Sequence, residues 1–240
     1  MDANFKLIDY VNKKDMIAAR LAALEEASKA KLKGTPGQKF LYSNWGYVLA
    51  GAMAERATGK SWEQLTRDEV FAPLKMASAA FGGTGTVGKI DQPWPHEGSG
   101  KPAESNGPEM DNLPVMGTAA TIHMALNDWG KFVAEHLRSA NGKGAKSTFP
   151  TYLKPETFAT LRTAVGDNYA LGWIVVRARG ADTTRTPVLS HDGDNTMNYA
   201  HVWLDPDNDV AVLVVANQSS ATRATHEVRT TLMKAWLARK

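Results

Sequence analysis

Two short stretches hold side chains that can move protons and receive an acyl group. Tyr42-Ser43-Asn44 places a phenol two residues ahead of a carboxamide, and Ser190-His191-Asp192-Gly193 places an imidazole two residues ahead of a glycine at an expected strand end. A phenol can shuttle a proton if its neighbours lower its pKa, a carboxamide can orient a substrate amide, and an imidazole carries a charge that titrates near neutrality. A glycine lets a ligand approach the backbone closely. Acyl transfer is one chemistry such groups can serve, since a serine hydroxyl needs a proton acceptor and donors aimed at the developing oxyanion. Each also has an ordinary use: Tyr42 as a packed aromatic at a helix entrance, Asn44 as N-cap of a helix from Trp45, His191 as a structural strand residue.

The remaining histidines, His96, His123, His136, His201 and His226, show no H-E-x-x-H or comparable spacing. They are expected to be surface or packing residues, and no metal or cofactor is expected. Ser28-Lys29-Ala30-Lys31 matches S-x-x-K in letters but lies among Glu25, Glu26 and Lys33. A nucleophile of that type must open a buried helix so that the lysine one turn on reaches it, so this match is read as a solvated face.

The elements that position these residues follow from periodicity. Ile17, Leu21 and Leu24 mark an amphipathic lead-in helix that ends before Gly34-Thr35-Pro36-Gly37. Trp45, Val48, Leu49, Ala52 and Met53 share one face of a second helix, with Gly59 as its C-terminal cap. Ser61 and Gln64 form a capping-box pattern opening a third helix, which Pro73 stops. Residues 82–117 read as a long loop and a candidate site wall. A helix over 126–139 with Leu126, Trp129, Val133 and Leu137 inward, ended by Asn141-Gly142, precedes one opened by Pro155. Strands are expected over 169–177, 187–190, 197–204 and 210–216, with Asp205-Pro206-Asp207-Asn208 as a hairpin turn. A last helix over 221–237 carries an apolar stripe of Val228, Leu232, Trp236 and Leu237.

The run from Pro36 to Tyr47, followed by Leu49-Ala50-Gly51 and Glu55 to Gly59, resembles the Y-x-N segment of class C β-lactamases, related esterases and D-alanyl-D-alanine peptidases. Ser190 to Gly193 resembles the H-x-G form of that family's K-T-G motif, and weaker likenesses lie at Gly117 to Phe132 and Tyr169 to Trp173. The resemblance implies a β-lactamase/transpeptidase-like α+β fold, with an antiparallel sheet flanked by helices plus a mainly helical lobe. It makes Tyr42 the general base, a role that requires nearby cations to hold its phenol well below ~10. Asn44 and His191 would bind substrate, Gly193 would admit the acyl group, and the Asp194 backbone N–H would be an oxyanion donor. In the family the S-x-x-K serine lies many tens of residues before Y-x-N, whereas 41 residues precede Tyr42 here. The expectation is therefore an N-terminally truncated serine hydrolase, lacking the first strands and central helix and inactive alone. Its sheet should expose an edge and an uncovered face. The alternative is a non-catalytic module that recognises cell-wall peptides through His191, Asn44 and the loop around Trp94.

Composition is consistent with this. The 240 residues are 43% hydrophobic, enough for a sizeable core, and a net charge of +3 without a basic stripe argues against a nucleic-acid partner. No run approaches a membrane span, and the charged start is not a signal peptide, so a periplasmic or secreted location rests on the resemblance alone. The expected partners are a small-molecule or peptide substrate and the missing N-terminal segment. The expected organisation is a lead-in over 1–34, a helical lobe over 35–165, and strands with the C-terminal helix over 166–240.

Overall fold

In a computed structural model, residues 15–35, 37–140, 153–166, 168–177 and 185–239 are described. The chain forms two compact units: Met1–Trp94 with Glu104–Met124, and Pro95–Ala103 with Ala125–Lys240.

The first unit is mainly helical. Helix α1 (Met16–Ser28) packs on α2 (Asn44–Thr58), but its buried face is Ala19, Arg20 and Ala23, while Leu21 is exposed. Apolar spacing points to the leucines, yet small alanines allow close approach, and the Arg20 guanidinium enters the interior because Glu55 and Glu63 meet it there. In α2 the buried residues are Val48, Gly51, Ala52 and Glu55; Leu49 and Met53 face solvent. A Cβ at Gly51 would overlap the Thr118 side chain, so this glycine sets how closely α2 and α4 (Gly117–Ala120) pack. Gly59 caps α2 in the left-handed conformation at φ 71°, and Ser61 caps α3 (Trp62–Thr66) by accepting from the Gln64 N–H at 3.2 Å. A π-helical turn, Arg67–Phe71, continues α3. Strand β1 (Ala80–Phe81) pairs antiparallel with β2 (Ile122–His123).

The second unit holds a four-stranded antiparallel sheet in the order β3-β4-β5-β6: Ile174–Val176, Val188–Asp194, Tyr199–Asp205 and Val210–Ala216. The 169–177 segment is not one strand. Gly172 turns at φ 87°, so only Ile174–Val176 pairs with β4, and Trp173 enters the core. β4 is longer than its apolar run, because pairing with β5 carries it through Asp194. Its turn is held by Asn195, whose Oδ1 accepts from the N–H groups of Met197 and Asn198. The β5–β6 turn is held by Asp205, which accepts from the Asn208 N–H at 3.1 Å.

One face of the sheet packs Leu189, Val202 and Leu204 with Val175 and Trp173 against Val133 of α5 (Leu126–Ala140). Trp129 and Leu137 flank this core, whereas Leu126 is exposed. The Asn141-Gly142 stop lies outside the described residues. Helix α6 (Pro155–Arg162) opens at Pro155 and buries Phe158. On the other face, α7 (Thr222–Leu237) lies over β5 and β6 with Thr225 buried and Arg229 above the Trp203 ring. Both faces therefore carry a helix. The expected α7 stripe of Val228, Leu232, Trp236 and Leu237 is exposed instead, because residues on another side of that helix meet the sheet.

Candidate active site

Tyr42 lies in the extended lead into α2 and is 56% exposed. Asn44 is the first residue of α2 and is exposed. The cap position falls one residue earlier than expected, on Ser43, whose side chain makes no capping hydrogen bond. The Y-x-N side chains thus stand at the open N-terminal end of a helix, in the first unit.

His191, Gly193 and Asp194 occupy the far end of β4, in the second unit. Side chains alternate along a strand, so His191 and Gly193 share the α5 side, and Asp192 and Asp194 share the α7 side. The His191 Nε2 lies 2.9 Å from the Tyr169 hydroxyl, and their rings meet edge to face at 5.7 Å. The Gly172 turn brings Tyr169 to this place, which gives the Tyr169 to Trp173 segment two jobs: filling the core and holding the imidazole. The only local signal in the sequence for the Tyr169–His191 pairing is the turn that Gly172 allows.

Among the described residues, no atom lies within 4 Å of where a Cβ on Gly193 would project. The protein's own packing does not demand a glycine there. Among the described residues β3 pairs with β4 only from Val188 to Ser190, leaving His191 to Asp194 beyond its end. The Asn195 N–H donates toward β5, to the Asn198 carbonyl, so strand alternation turns the Asp194 N–H toward the side that β3 has left. The Asp194 carboxylate is engaged elsewhere: it accepts from the Ser219 hydroxyl at 2.9 Å, the Ser220 N–H at 2.8 Å and the Thr196 N–H at 2.8 Å. These bonds fix the strand end and leave its backbone for other use.

Ser28 is exposed near the end of α1, and its hydroxyl donates to the Glu25 carbonyl at 2.7 Å.

The Beta-lactamase family model matches residues 5–233. The chain belongs to the β-lactamase family. Solved structures share its fold at low identity. A penicillin binding protein from Bacillus halodurans is 19% identical with a TM-score of 0.69, over 94% of this chain and 67% of that one. The D-amino acid amidase of Ochrobactrum anthropi SV3, complexed with D-phenylalanine, is 18% identical with a TM-score of 0.67, over 92% and 65%. A class C beta-lactamase mutant is 16% identical with a TM-score of 0.64, over 91% and 64%. The chain spans about half to two thirds of the length of the solved structures it matches. No curated protein matches it.

Proposed function

We propose that this β-lactamase-family chain supplies the general-base and oxyanion sides of a serine acyl-transfer site acting on β-lactam, D-alanyl peptide or ester substrates. Tyr42 takes the proton, Asn44 and His191 orient the substrate, and Gly193 with the Asp194 N–H receives the acyl oxygen. The observation that carries the reading is the end of β4. There a glycine that packing does not require stands beside an imidazole held by Tyr169, beyond the end of the neighbouring strand. Residues 1–240 offer no S-x-x-K on a buried helix, since Ser28 is exposed and tied to its own turn, so the chain by itself should not form an acyl-enzyme. Intact-mass spectrometry after incubation with a penicillin tests this. No covalent adduct is expected. An adduct that disappears in Ser28→Ala would restore Ser28 as nucleophile, and non-covalent peptide binding without an S-x-x-K upstream in the gene would favour the recognition module.

A further inference from the structure

Asp192, His201 and His226 converge on the α7 side of the sheet, away from His191 and Gly193. β4 and β5 set Asp192 directly opposite His201, and α7 lowers His226 onto the same spot. The His201 Nδ1 lies 2.5 Å from Asp192, the His226 Nε2 lies 3.5 Å from the same carboxylate, and the two imidazole centroids are 4.3 Å apart. One ligand atom from each residue falls within 4.8 Å of the other two.

From this geometry we infer a divalent transition-metal site, of the zinc type, built from Asp192, His201 and His226. Two imidazoles and a carboxylate form a donor set of the kind that holds Zn2+, and three protein ligands leave a fourth position for water. Asp192 and His226 are only half-buried, so water and the ion can reach them. Bonds of about 2.0–2.2 Å in a tetrahedron put donor atoms about 3.3 Å apart. The Asp192–His226 separation of 3.5 Å is already close to that value. The Asp192–His201 contact opens by less than about 1 Å when the ion enters, the Nδ1 proton passing to Nε2 so that the bound imidazole stays neutral.

The state of His201 supports the inference independently. Its side chain is 1% exposed, and its Nε2 has no hydrogen-bond partner among the described residues. Its Nδ1, the nitrogen that faces Asp192, is the one turned toward the site. The Tyr199 phenol, itself shifted upward by burial, interacts with Asp192 as an outer-shell partner would. An ion here would clamp β4, β5 and α7 behind the strand that carries His191 and Gly193.

The test is titration of chelator-stripped protein with Zn2+ by calorimetry and with Co2+ by visible absorption, alongside Tm with and without Zn2+. One saturable Zn2+ per chain, the d–d bands of a four-coordinate Co2+ and a raised Tm are expected. His226→Ala and Asp192→Asn lie at half-buried positions and should fold, as circular dichroism would check. Each should weaken Zn2+ binding about 100-fold or more, beyond the 10- to 100-fold of an outer-shell loss. No saturable binding at millimolar Zn2+, or affinity unchanged in both variants, would overturn the site.

Discussion

His136 lies within an aromatic cluster, with ring centroids 4.8 Å from Phe132, 5.2 Å from Phe158 and 5.1 Å from Trp173. Burial there, with a smaller contribution from Arg162, pushes its pKa down to about 4. The unfolded chain therefore binds a proton between about pH 6.5 and 4 that the folded chain refuses. The stability contributed by neutral His136 is complete above the unfolded value and is lost as pH falls through that window. Urea unfolding at pH 7 and pH 5 should differ by about 2 kcal/mol from this residue alone. His136→Phe should remove that difference, and an unchanged pH slope in the variant would assign it to other groups. Nothing in the spacing of the histidines distinguishes His136 from His201. One is buried among rings and the other faces a carboxylate, and both settings are made by residues distant in sequence. The pairing of Asp192 with His201 rests on the turn at 195–198, which the expected strands over 187–190 and 197–204 do not place. The arrival of His226 depends on how α7 packs.

At the scale of elements, the hairpin strands were the most legible. Val210–Ala216 is an unbroken apolar run with a turn of fixed chemistry before it, so both its ends could be placed. The helices were legible in extent but less so in orientation. For α1 and α7, which face is covered depends on the partner element, and apolar spacing alone chooses the leucines and valines. Arg20 shows the physical reason: it spans α1, α2 and α3 by pairing with Glu55 and Glu63, and it donates to the Pro114 carbonyl at 3.2 Å. Glu55 also accepts from the Trp62 N–H at 2.8 Å. Arg20→Met should cost about 3–5 kcal/mol in urea unfolding by leaving Glu55 buried without its cation. Adding Glu55→Gln should recover much of that loss, because the amide still accepts from Trp62 without burying a charge. A loss in Arg20→Met below about 1 kcal/mol would show that the cluster is not what joins these helices.

At the scale of the molecule, β6 stands at an edge of its sheet among the described residues, with Val215 exposed, and Val228, Leu232 and Trp236 lie on the outer side of α7. Apolar surface of this kind favours association, so the chain alone is expected to be oligomeric or prone to aggregate. Leu232→Lys with Val228→Glu should shift light scattering towards a monomer, whereas a clean monomer of the unsubstituted chain would contradict the expectation. The family assignment covers nearly the whole chain, and its motifs were readable because they are local; the role of Tyr42 as general base is the central proposal. It is tested most directly by kcat for Tyr42→Phe, in a form of the protein that turns over a chromogenic cephalosporin, a D-alanyl amide or a p-nitrophenyl ester. The substitution keeps the ring of an exposed residue and removes its oxygen, so Tm should hold while kcat falls by the ~100- to 10,000-fold typical of losing a general base. Unchanged kcat with unchanged Tm would contradict the assignment of Tyr42 and the site built around it.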